Sequence, residues 1–234
     1  MSGTNQKKFT ILCCSNCLTL KIKSGSMKKI EELKLKTSDT IMILLDTKEV
    51  FNYCKYLYEP PKYEESELAN SLSYIRLIRF ALYKQTVIEL SKLISSSNND
   101  NFRISKYINA LKSDGYYGDL HFPKQRILKY EADLASVEKI KDDIILLRND
   151  FYAHTKRIFT YANSMNYSDF YLFIPPPIIE KLITILTNIF VDVYSCLFGS
   201  DLDLSIESDT ENITILSDMV TIRRLEKEAF LDSF

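Results

Sequence analysis

The sequence predicts an all-α fold, and three observations lead there. Its 234 residues include only five glycines and six prolines and no tryptophan, so the apolar residues sit in long charged segments rather than between frequent turn signals. Two long segments, residues 64–94 and 140–158, carry their apolar side chains at helical spacing. The one aromatic run that could pass for a strand, 166–174, is cut off by Pro175-Pro176-Pro177 and has no second run to pair with. The length suits one well-cored domain or at most two small ones. We divide it into an extension, 1–26, and a helical domain, 27–234, with extra helices at both ends.

Taken in order, the extension holds an apolar patch, 9–20, that is broken by Ser15 and Asn16, lacks a cleavage region and is too short to span a bilayer. Met27 is an alternative start. Residues 27–36 are helical by their lysine and glutamate content, and Thr37-Ser38-Asp39 supply N-cap candidates for a second helix ending near Glu59, before Pro60-Pro61. A long amphipathic helix follows over 64–94, with Leu68, Leu72, Ile75, Leu82 and Leu93 among its apolar positions, and the polar run 95–101 ends it. A shorter helix over 102–111 leads into the turn-rich stretch 113–119. Pro123 opens a helix to about Val137, which passes with little break into a helix ending near 159–163. The strongly apolar segment 178–197 carries Glu180, Lys181, Asn188 and Asp192, which argue against a membrane span. It is the expected packing partner of the helix before it. Gly199 closes it, 200–212 is an acidic loop or a short hairpin, and 213–234 is a final helix.

Thirty basic against 31 acidic residues leave a formal net charge of −1, so the overall balance advertises neither a nucleic-acid nor a membrane partner. Any RNA contact must be local. Five cysteines, three of them in Cys13-Cys14-Ser15-Asn16-Cys17, do not form a disulfide framework and read as reduced thiols of a cytoplasmic protein. A zinc site would need more ligands at suitable spacing, and Cys54, Cys196, His121 and His154 are scattered. The cysteines therefore read as small apolar residues, and we expect no metal and no cofactor. No glycine-rich phosphate loop or Ser-His-Asp set is present.

Pattern and chemistry coincide around residues 142–159. At about 100° per residue, Ile140, Ile144, Leu147, Phe151 and Ile158 form one narrow stripe, and Arg148 sits on its shoulder between Ile144 and Tyr152. A guanidinium there must be paired or used. His154, six residues on, lies roughly 120° around the helix from Arg148, so one helix alone cannot close both on a small target.

The run Arg148-Asn149-Asp150-Phe151-Tyr152-Ala153-His154 resembles the motif of the HEPN superfamily, in which an arginine, a polar residue that is often asparagine and a short spacer precede a histidine. The earlier segment 74–94 is similar to the first core helix of that superfamily's abortive-infection group, and the resemblance covers about 27–197. It implies a bundle of four or five core helices. It also implies a metal-independent endoribonuclease acting as a toxin or an abortive-infection effector in antiviral defence, working as a homodimer whose two motifs meet. An antitoxin or a nucleotidyltransferase would be its protein partner. The alternative is a non-catalytic HEPN module that holds a nucleotide, an RNA end or a partner nucleotidyltransferase.

Under the enzymatic reading His154 moves protons, since its unperturbed pKa is near neutrality, and Arg148 holds the charge that builds on the phosphorane. Asn149 orients phosphate or ribose. Lys156 and Arg157 hold flanking phosphates, Tyr152 stacks on a base, and Arg76 and Arg79 ring the cleft. Each has a plainer reading. Arg148 pairs with an internal carboxylate such as Asp143, His154 packs near a helix end, Tyr152 packs in the core, and the remaining basic residues are solvated surface. His121 reads as structural.

Overall fold

The computed structural model describes residues 26–97, 100–149, 174–199 and 215–231, and among these all regular structure is helical. Eight α-helices follow in order: α1 (Ser26–Tyr58), α2 (Tyr63–Ser71), α3 (Ser73–Ile94), α4 (Ile104–Leu111), α5 (Lys124–Ala135), α6 (Glu138–Leu147), α7 (Pro176–Phe198) and α8 (Ile215–Leu231), with a single 3-10 turn at Gly118–Leu120. They gather into two compact units. The first takes the part of α1 up to Leu44, the end of α3 from Glu89, and α4 to α7; the second takes Leu45–Ile88 and α8.

In the first unit α7 is long and apolar enough to cross a membrane by length and composition. Its apolar stripe is used internally: Ile179, Leu182, Ile183, Leu186, Ile189, Phe190, Val193 and Leu197 are buried, and the helix packs against α5 and α6. Spacings of three and four residues put these side chains on one side of the helix. Pro176 and Pro177 start it, where a missing N–H costs no hydrogen bond. Gly199 ends it at φ 69°, donating its N–H to the Ser195 carbonyl. From α4, Tyr107 sets its ring 5.6 Å from that of Phe190 and shares a hydrogen bond with the Thr37 hydroxyl of α1. The buried positions of α4, Ile104, Tyr107, Ile108 and Leu111, repeat the same spacing.

The connection after α4 is fixed by two glycines. A Cβ on Gly115 would collide with the carbonyl oxygen of Asn109, and one on Gly118 with that of Ser113. Backbone atoms cannot swing aside as a side chain could. Tyr117 donates its N–H to Ala110 across the turn at 2.8 Å, and Lys29 of α1 clasps the outside, 3.1 Å from Asp119. His121 then takes φ 52° and ψ 47° with its side chain exposed.

The second unit is built on a small core of Tyr56, Leu57, Leu68, Ala69, Ile75 and Leu216, against which Leu72, Leu82, Met219 and Val220 pack. It contains a buried charge, Glu65, whose carboxylate lies 3.4 Å from the Lys62 ammonium. Lys62 also donates to Ser217 at the start of α8.

Two expected boundaries are corrected. The predicted break at Thr37-Ser38-Asp39 does not occur, and α1 is continuous over 33 residues. The threonines do not cap: Thr37 and Thr40 turn their hydroxyls back onto the Leu33 and Lys36 carbonyls at 2.7 and 2.8 Å, satisfying them inside the helix. Conversely, the helix expected to be unbroken over 64–94 divides at Leu72, whose backbone is extended at φ −91° and ψ 119°. The polar residues Asn70, Ser71 and Ser73 surround that point, and the Ser71 hydroxyl bonds the Leu68 carbonyl. The extension up to residue 25, the end of the 140–158 segment, the aromatic run before Ile174 and the acidic stretch after Gly199 lie outside the described residues.

Candidate functional site

The expected site begins where α6 ends. Val137 precedes the helix, and the Ile144 and Leu147 side chains turn inward and are buried, as the stripe predicts, while Ile140 is half-buried. Arg148 keeps helical backbone angles, φ −59° and ψ −48°, and its N–H still donates into the helix, to the carbonyls of Ile144 and Ile145. Helical rotation from a buried Leu147 therefore carries Arg148 and Asn149 out of the core, and both are exposed.

The two side chains touch. Arg148 Nη1 donates to Asn149 Oδ1 at 3.3 Å, and among the described residues no carboxylate pairs with the guanidinium, Asp143 included. An arginine has five N–H donors in a planar fork and stays cationic at any physiological pH. Here the fork faces outward, steadied by a neutral neighbour that does not cancel its charge. That arrangement can accept a phosphate or a carboxylate with little rearrangement.

The other expected residues fall in different places. Tyr152, His154, Lys156 and Arg157 lie outside the described residues. Arg76 and Arg79 both belong to α3 in the second unit, and only Arg76 is exposed. Arg79 is engaged locally: it donates to Asn70 Oδ1 at 3.2 Å, and its guanidinium carbon lies 4.6 Å from the Tyr58 ring centre. Tyr58 in turn meets Tyr83 edge to face.

One polar cluster of the first unit was not singled out from the sequence. Arg126 and Tyr130 stand one turn apart on α5, Asp192 and Cys196 one turn apart on α7, and the four meet. Arg126 lies 2.6 Å from Asp192 Oδ1, and the Tyr130 hydroxyl donates to the other carboxylate oxygen. Burial, followed by the hydrogen bond to Asp192, pushes the Tyr130 phenol well above its ordinary range. For Arg126 burial works downward, but the facing Cys196 and Asp192 outweigh it and hold the guanidinium above its usual value. Every charge in the cluster has a partner, so it ties α5 to α7 rather than offering a cation to a ligand. The i, i+4 spacing on each helix is the one signal in the sequence, and it says nothing about which helix faces which.

Of the remaining titratable groups, Cys54 follows the apolar reading of the cysteines. It is buried, and burial raises its thiol to about 12. No family model, curated protein or solved structure matches this chain.

Proposed function

We propose that the chain is a HEPN-type endoribonuclease that cleaves RNA without a metal ion and acts as a growth-arresting toxin or abortive-infection effector. The observation that supports this most is the state of Arg148. The plainer reading required a buried ion pair, yet the guanidinium is exposed, hydrogen-bonded to Asn149 and unmatched by a carboxylate among the described residues. Together with the spacing to His154, it fits a phosphate-holding arginine.

In the reaction, a base takes the proton from a ribose 2′-hydroxyl and the freed oxygen attacks the adjacent phosphorus. The bond from phosphorus to the 5′-oxygen then breaks, and an acid protonates that leaving oxygen. His154 serves as base or acid. Arg148 holds the equatorial oxygens as negative charge grows, and Asn149 keeps the arginine fork in place. One chain supplies one motif histidine, whereas the reaction has two proton transfers. A two-fold axis beside the motif presents both His154 rings and both Arg148 forks to one phosphate.

The test is a mixed RNA pool incubated with purified protein and EDTA. Cleavage should persist, with products ending in a 2′,3′-cyclic phosphate or its hydrolysed form. Strict dependence on Mg²⁺ or Mn²⁺ would refute the mechanism.

A further inference from the structure

In the first unit, helices α1 and α4 are joined by the buried hydrogen bond between Thr37 and Tyr107. The residue before each partner is a lysine. Lys36 of α1 and Lys106 of α4 are both half-buried, so the contact that fastens the two helices also brings two ammonium groups toward one place. Among the described residues neither makes a hydrogen bond or an ion pair.

The other lysines of this region are engaged. Lys29 lies 3.1 Å from Asp119, Lys112 lies 2.6 Å from Glu131, and Lys34 stands over the Phe198 ring. Burial first, and then Lys106, hold the Lys36 amine below the ordinary lysine range, and Glu32 opposes them with the weakest effect of the three. Glu32 is directed elsewhere, since its carboxylate accepts the hydroxyls of Tyr116 at 3.1 Å and Tyr117 at 3.4 Å. From Asn101 to Ser113, which includes all of α4, the chain has no acidic residue.

Two cations that repel each other, partly shut off from water, favour an anion able to touch both. A phosphate group carries the charge and presents several oxygens, so it can accept from two ammonium groups at once. We propose that Lys36 and Lys106 form an anion site at the contact of α1 with α4, and that it holds a phosphate group, free or in a polynucleotide backbone. Binding there needs no turnover, so the proposal stands apart from the ribonuclease reading.

The experiment reads the amines directly, by carbon-13 NMR of the full chain after reductive methylation, which keeps the charge of each lysine. Lys36→Gln and Lys106→Gln assign the two signals, and far-UV circular dichroism should be unchanged in both because glutamine keeps much of the aliphatic stem. Inorganic phosphate at constant ionic strength should shift both signals saturably and raise the titration midpoint of Lys36, since a bound anion favours the charged amine. Lys106→Gln should raise that midpoint without phosphate and weaken phosphate binding about tenfold. A second arm follows a 2′-O-methyl RNA oligonucleotide, which lacks the hydroxyl needed for cleavage, by fluorescence anisotropy. If the backbone is the source, the double variant should flatten the dependence of log affinity on log salt by about 0.7 for one lost contact, and phosphate should compete. Phosphate shifts with RNA affinity unchanged in the double variant assign a free phosphate instead. The proposal is overturned if sodium chloride reproduces the phosphate shifts, if phosphate moves neither signal, or if Lys106→Gln binds phosphate as tightly as the parent.

Discussion

Two arginines of the first unit, Arg126 and Arg148, show how the same side chain is committed in opposite ways. Arg126 projects from the first turn of α5 toward α7, where Asp192, Tyr130 and Cys196 surround it. Arg148 stands at the end of α6 with Asn149 as its hydrogen-bond acceptor. The first is matched by a carboxylate and serves the fold. The second is exposed, and among the described residues no carboxylate faces it. The difference comes from the neighbours, because an asparagine amide orients a guanidinium without neutralising it.

The largest effect that would test this contrast is on catalysis. Arg148→Ala and His154→Ala should each lower RNA cleavage by about a hundredfold or more, while the unfolding free energy of Arg148→Ala stays within about 0.5 kcal/mol of the parent, as for an exposed surface change. Equal activity in parent and Arg148→Ala would remove the distinction between the two arginines. The next effect is on stability. Asp192→Ala leaves the Arg126 guanidinium and the Tyr130 hydroxyl without their acceptor and should cost about 1–3 kcal/mol in urea unfolding, with cleavage per folded molecule unchanged. A stability equal to the parent's would show that the cluster ties nothing together.

The smallest effect is an alkaline pH dependence to which the Arg126 cluster contributes. The Tyr130 phenol is raised in the folded state, so the unfolded chain loses its proton first as pH climbs. The associated stability is fully present below the ordinary tyrosine range near 10 and is lost as pH rises above it. Cys54, raised to about 12, acts in the same direction from about pH 9 upward. Tyr130→Phe should flatten the alkaline decline of the unfolding free energy. An unchanged slope would mean that the phenol titrates alike in both states.

How much of this was legible beforehand depended on distance along the chain. Pro60-Pro61 and Gly199 marked helix ends because a missing N–H and a left-handed backbone act within a turn. The buried phase of α6 through Ile144 and Leu147 followed from spacing alone, whereas Arg148, on the shoulder of that stripe, was left open between use and an internal ion pair. Thr37 misled because a threonine hydroxyl can cap a helix or bond back into one, and its burial beside Tyr107 decided which. The division at Leu72 rested on two serines and an asparagine, a weak local preference that periodicity concealed. The Arg126 cluster was unreadable for another reason: Arg126 and Asp192 are 66 positions apart, and only the packing of α5 on α7 brings them together.

The turn after α4 bears on how such a chain can diverge. Gly115 and Gly118 stand three residues apart, and at both a side chain of any size would strike a backbone carbonyl. Single-base changes in a glycine codon lead to alanine, serine, valine, aspartate and the like, and all of these add a Cβ. Drift that repaints exposed surface elsewhere should therefore leave this pair untouched, together with the buried Tyr117 between them. A glycine, two tyrosines and a glycine, following a short helix with apolar positions at 104, 107, 108 and 111, form a fingerprint by which descent from a common ancestor could be recognised after overall similarity has faded.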